Sequence, residues 1–179
     1  ITKSFQPVYK KLGPQTIALN YSSDDFLVDG LTYGLFRRLR ELIRDPDLER
    51  RIISSADILI PLRARKTPEE LRRLERAIEI TQQIFNEIAE YTRPGMKEIE
   101  VGDFIHSRQV YYGVSAAFGE SAIVAAGYMG VGHRFPGPNP LRAGDVMIVD
   151  MGVTVEGYTS DFARTYYLLR DGELSLIHI

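Results

Sequence analysis

The chain has no cysteine among its 179 residues. A disulfide scaffold and a thiolate metal site are therefore both excluded. Long apolar runs are also lacking: none approaches the roughly 20 residues needed to cross a bilayer. Charge of one sign is lacking too. The formal net charge is −2, which offers neither nucleic acid nor an anionic membrane surface an electrostatic partner. There is no internal repeat and no low-complexity segment. No signal peptide is visible, and a cytoplasmic location is the default reading. What is present is ordinary globular material, 44% hydrophobic and 26% charged, long enough for one domain and part of another.

Within that material, two aspartates eleven residues apart carry the most information. Asp150 ends the apolar run Val146-Met147-Ile148-Val149, and Asp161 precedes the aromatic and aliphatic run from Phe162 to Leu169. Val155-Glu156-Gly157 between them reads as a tight reversal. A hairpin turning about Val155 and Glu156 sets Asp150 directly opposite Asp161, with Cβ atoms roughly 4.5–5.5 Å apart. Two bare carboxylates at that separation repel, more so on a half-buried sheet. A divalent cation between them is the economical answer, because hard cations take carboxylate oxygens. Aspartates also end strands and cap turns, and spacing alone names neither a metal nor a reaction.

The flanking residues say more. Gly144-Asp145, the strand ending Asp150-Met151-Gly152, and then Gly157-Tyr158-Thr159-Ser160-Asp161-Phe162-Ala163-Arg164-Thr165 resemble the pita-bread metallopeptidases: aminopeptidase P, prolidase and, more distantly, the methionine aminopeptidases. The resemblance implies that Asp150 chelates one metal of a dinuclear pair and that Asp161 bridges both. It implies two divalent ions, manganese by family habit, with cobalt or zinc able to substitute. The all-oxygen character of the two ligands also fits manganese better than zinc. His133, seventeen residues before Asp150, matches a histidine of the aminopeptidase P and prolidase branch that hydrogen-bonds the substrate rather than the metal. An imidazole there can donate to a developing oxyanion or move a proton near neutral pH. The implied activity is hydrolysis of Xaa-Pro peptides by a metal-bridged hydroxide. The implied partners are a peptide substrate and a second copy of the chain in a homodimer. His106 lies in a helical pattern and reads as structural.

The resemblance also implies a histidine and two glutamates downstream of the second aspartate. Only eighteen residues follow Asp161, and among them His178 and Glu173 are not placed to serve. Two of five ligands are in view, so the fragment by itself is expected to be inactive. The ending 174–179 matches an in-frame translation of a transposon-based sequencing-library adaptor, so we read it as an artefact, and Ile1 is not an initiator. The expected object is a window on a longer protein.

Three stretches follow from this. Residues 1–62 read as alternating strand and helix, the partial N-terminal α/β domain of the creatinase/prolidase type. Thr16–Tyr21 is a short buried strand, 31–43 is a helix with Leu35, Phe36, Leu39 and Ile43 on one face, and Ile52-Ile53 and Ile58-Leu59-Ile60 bracket a turn. Asn20-Tyr21-Ser22 and Asp29-Gly30-Leu31 resemble one subgroup of that domain. Residues 63–173 are the N-terminal half of the pita-bread domain. The stretch from Arg63 to Lys66 is a junction, and Thr67-Pro68-Glu69-Glu70 signals a helix start with Thr67 as N-cap and Glu70 closing a capping box. Leu71, Leu74, Ile78, Thr81, Ile84, Phe85 and Ile88 then recur at helical spacing as far as Arg93-Pro94-Gly95. A second helix spans about 98–111 with Ile99, Phe104 and Ile105 toward a sheet, and 121–128 is a strand. Residues 174–179 are set aside. The fold expected is α+β. The rivals are a same-fold metal-dependent lyase, a creatinase-like hydrolase, which would lack the ligand aspartates, and a non-catalytic peptide-binding or scaffold relative. Arg134-Phe135 after His133 departs from the peptidase pattern and bears on substrate choice.

Overall fold

The computed structural model describes residues 2–119, 122–127 and 134–173. The chain divides into two compact units, Ile1–Lys66 and Thr67–Ile179.

The first unit runs α1 (Thr2–Leu12), β1 (Ile17–Leu19), a single 3₁₀ turn (Phe26–Val28), α2 (Tyr33–Ile43), α3 (Leu48–Arg51), β2 (Ile52–Ser54) and α4 (Ala56–Ala64). β1 and β2 pair in parallel. The helix expected over 31–43 begins two residues later, at Tyr33, because Thr32 caps it: its Oγ1 accepts from Leu35 N at 3.2 Å. Ile43 is buried, but Leu35 is 55% exposed, so the apolar stripe is narrower than its spacing suggested. The strand at 17–19 is half-buried rather than buried. The turn after β2 closes at Ser55. Ile58-Leu59-Ile60 then belong to α4, which runs on through Arg63. A three-residue apolar run fits helix and strand equally, and length decides between them. The two segments Asn20-Tyr21-Ser22 and Asp29-Gly30-Leu31 meet: Gly30 N and Leu31 N both donate to Asn20 O at 2.9 Å.

The second unit runs α5 (Pro68–Tyr91), α6 (Glu98–Tyr111), β3 (Ser115–Ala116), β4 (Ile123–Ala126), β5 (Val146–Met151), β6 (Val153–Val155), β7 (Tyr158–Thr159) and β8 (Phe162–Tyr167). Its strands form two three-stranded antiparallel sheets, ordered β3-β6-β7 and β4-β5-β8. α5 starts as its sequence dictates. Thr67 Oγ1 accepts from Glu70 N at 3.3 Å, and Glu70 Oε2 accepts from Thr67 N at 2.6 Å. That reciprocal cap stabilises the helix by about 1 kcal/mol. Its buried stripe is Ala77, Ile80, Thr81, Ile84, Phe85 and Ile88. Leu71 in the first turn is 47% exposed and lies outside that stripe. α6 buries Val101 and Ile105 fully, whereas Ile99 is 44% exposed. The core packs these two helices against Val124, Met147, Val149, Met151 and Val153.

Residues 174–179, read from the sequence as adaptor-derived, lie outside the described residues.

Candidate metal-binding ribbon

β5 alternates cleanly. Met147, Val149 and Met151 are buried against the helices, at 0%, 0% and 1% exposure. Period-2 geometry therefore turns Val146, Ile148 and Asp150 to the opposite face, where Asp150 is half-buried. Its cross-strand neighbours there are Ile123 on β4 and Ala163 on β8. Asp161 is exposed and stands immediately before β8.

The ribbon turns at Glu156-Gly157, where φ is 47° and 85°. Two consecutive left-handed residues make a type I′ turn, whose twist matches the flanking strands. The ladder then pairs Val155 with Tyr158, Thr154 with Thr159 and Asp150 with Ala163. This corrects the register expected from the sequence. The reversal is centred one residue later than a turn about Val155 and Glu156, so every pairing moves by two. Asp161 is the diagonal neighbour of Asp150, not its direct opposite. A shift of two preserves the face, and diagonal positions lie roughly 7–8 Å apart.

Between the two aspartates the ladder is interrupted at Gly152 and Ser160. A Cβ on Gly152 would sit 1.9 Å from the carbonyl oxygen of Ser160 and 2.9 Å from Ala117 Cβ, so this approach of two backbones admits only glycine. Gly152 O accepts from Ala117 N at 3.1 Å, with Gln109 Nε2 at 3.5 Å. Behind it, Ser160 and Thr81 form a buried hydroxyl pair 2.6 Å apart.

His133 lies outside the described residues. Its neighbour Arg134 is held firmly. Glu98, in the first turn of α6 and 0% exposed, accepts from Arg134 Nη1 at 2.7 Å and Nη2 at 2.5 Å. It also accepts from Ala126 N at 2.9 Å, and from Gly137 N and Asn139 Nδ2 at 3.2 Å each. Burial alone would raise the Glu98 carboxyl, but the Arg134 guanidinium and the two backbone N–H groups outweigh it and hold the carboxyl below its ordinary range. Nothing in the spacing of residues 98 and 134 pointed to this pair; an acidic residue in a first helical turn reads as a complement to the helix dipole. His106 is exposed on α6 and, with Asp103, lines a groove of about 680 Å³ between α6 and β3.

The donors in view are hard oxygens on one ribbon, which suit a divalent cation. Among the described residues no group of three or more His, Cys, Asp or Glu side chains is gathered closely enough to hold a metal. The two aspartates fit as part of a ligand set, not as a whole one.

The fold at the site is a long capped helix packed behind an antiparallel ribbon that carries two aspartates. The chain belongs to metallopeptidase family M24, whose model matches residues 72–177, more than half of its length. It is similar to an Xaa-Pro dipeptidase from Bacillus anthracis, at 27% identity and a TM-score of 0.78, over 94% of this chain and 44% of that one. It is 29% identical over 147 residues to the Xaa-Pro aminopeptidase of Escherichia coli K12, covering 82% of this chain and 32% of the relative. It is 26% identical over 140 residues to an uncharacterized peptidase, YqhT, of Bacillus subtilis, covering 78% of this chain and 38% of the relative. The chain thus spans less than half the length of these relatives. The architecture is α+β, part of a creatinase/prolidase-type N-terminal domain followed by the first half of a pita-bread domain. Among the described residues no helix is long and apolar enough to cross a membrane.

Proposed function

We propose that this chain is part of a dinuclear metal-dependent peptidase that releases the N-terminal residue of Xaa-Pro peptides. The observation that carries the reading is the pair Asp150 and Asp161, brought to diagonal positions on one β-ribbon inside a family match that covers both. The relatives named Xaa-Pro aminopeptidase and Xaa-Pro dipeptidase support the substrate class.

Asp150 and Asp161 would hold the cations, for which manganese is the choice that all-oxygen donors favour. Two such cations supply Lewis acidity and a water of lowered pKa. The chain's own contribution is positional. The buried face of β5 fixes the strand against α5 and α6, so Asp150 stands at a defined height on the opposite face. Ile123 and Ala163 are its cross-strand neighbours on that face. His133 is proposed to hydrogen-bond the substrate carbonyl region. Two aspartates do not complete a dinuclear site, and the family resemblance implies a histidine and two glutamates as the further ligands.

The test uses the full-length protein. An Xaa-Pro dipeptide and a longer Xaa-Pro peptide are offered with and without Mn²⁺. Hydrolysis of either that requires Mn²⁺ and is lost in D150N and D161N supports the reading, and the preferred peptide separates prolidase from aminopeptidase P chemistry. No hydrolysis of either peptide under any metal, or a downstream sequence lacking the histidine and two glutamates, sinks it in favour of a peptide-binding relative.

A further inference from the structure

Ser160, next to Asp161 in the chain, is only 4% exposed, and Thr81 of α5 is fully buried. Either hydroxyl can donate across the contact between them, and each also has a carbonyl acceptor. Thr81 has one hydroxyl proton, and the Ala77 carbonyl lies 2.8 Å away as its acceptor on α5. With Thr81 donating there, the 2.6 Å contact between Thr81 Oγ1 and Ser160 Oγ takes its proton from Ser160. The Ser160 oxygen is then left to accept from Val153 N at 3.0 Å. A continuous path of hydrogen bonds thus links Val153 N–H through Ser160 and Thr81 to the Ala77 carbonyl of α5. The 3.3 Å contact of Ser160 Oγ with Val153 O is the longer alternative for the same proton.

This path replaces part of the sheet. Val153 and Ser160 face each other in the hairpin register, and Ser160 N donates to Val153 O at 3.0 Å as a regular pair requires. The return bond, from Val153 N–H, goes to the Ser160 side chain, where a regular pair would use the Ser160 carbonyl. That carbonyl instead lies over Gly152, 1.9 Å from where a Cβ would be. The peptide joining Ser160 to Asp161 is thereby turned out of the ladder, and its other half is the Asp161 amide.

We propose that Ser160 and Thr81 are positioning residues for Asp161, using this buried hydroxyl relay to anchor the rotated Ser160–Asp161 peptide to α5 so that the Asp161 carboxylate meets a cation shared with Asp150. The proposal rests on the reading of Asp161 as a metal ligand. Ligand-orienting groups one step removed from a metal change its affinity by about 10–100-fold when mutated, and that is the effect expected here.

The test measures the Mn²⁺ dissociation constant of the full-length protein by isothermal titration calorimetry, with circular dichroism recording fold and stability. S160A and T81V are expected to weaken Mn²⁺ binding by about 10-fold or more, and T81S, which keeps the hydroxyl, to return within about 3-fold of the unmodified protein. I84V, which trims the same buried face of α5 without touching the relay, serves as a control for lost stability and is expected to leave the constant unchanged. Unaltered binding in S160A and T81V, or an equal loss in I84V, overturns the proposal. Should T81V not fold, S160A against I84V decides the matter. D161N separates the two levels: if it too binds Mn²⁺ normally, Asp161 is not a ligand and the metal reading falls as well, whereas its loss beside a normal S160A overturns the positioning role alone.

Discussion

Replacing Arg134 with methionine keeps most of the aliphatic stem and removes the only cation that contacts Glu98 among the described residues. Glu98 stays fully buried, still accepting from Ala126 N, Gly137 N and Asn139 Nδ2. Removing one partner of a buried pair costs about 3–5 kcal/mol, because it strands the other charge. Two features argue for the lower end: the Arg134 side chain is 32% exposed, and three donors remain on the carboxylate. We expect a loss of about 3 kcal/mol. With an m-value of about 2 kcal/mol/M, that is a fall of about 1.5 M in the urea midpoint. Far-UV circular dichroism reads the midpoint, and amide exchange in peptides spanning 122–127 and 134–140 reads local opening. The pH dependence gives an independent check. Glu98 is held below its ordinary range in the folded state, so its stabilisation is present at neutral pH and is lost as pH falls through the folded value. Without Arg134 the buried group favours its neutral form, so the gap between the two proteins should narrow as the solution is acidified. E98Q combined with R134M should lose less than the sum of the single changes, with a coupling of about 1–3 kcal/mol. A single-variant loss below about 0.5 kcal/mol, or a gap independent of pH, would refute the reasoning.

Three further outcomes follow from the same structure. G152A should destabilise by on the order of 3 kcal/mol, as overpacking does when backbone must yield, because the new Cβ meets the Ser160 carbonyl at 1.9 Å; thermal unfolding measures it. E156N should stabilise by about 0.5 kcal/mol, since asparagine tolerates the left-handed conformation that Glu156 adopts at φ 47°; the exposed contact with Arg73 that it forfeits is worth little. Tyr166, pushed up to about 12 by burial, donates to Phe85 O at 2.8 Å. Its raised value stabilises the fold below pH 10 and is lost as pH rises toward about 12. Y166F should therefore cost about 1 kcal/mol at neutral pH and remove that alkaline step from a titration followed by tyrosinate absorbance.

The residues themselves determined what depends on near neighbours. The start of α5 was written in Thr67, Pro68 and Glu70, because a capping box closes over three residues. The alternation of β5 and the reversal before Gly157 were equally local, and with the flanking motif they singled out Asp150 and Asp161. Single-sequence periodicity erred where it assumed burial. Leu71 and Ile99 fit helical stripes yet face solvent, since a stripe marks a face without saying what covers it. Only tertiary structure decided the register, where one step in the turn centre separates direct from diagonal aspartates. It also decided the pairings of Glu98 with Arg134 and of Thr81 with Ser160. Those pairs join residues 36 and 79 positions apart, and a hydrogen bond across such a span exists only once packing has brought both groups out of water.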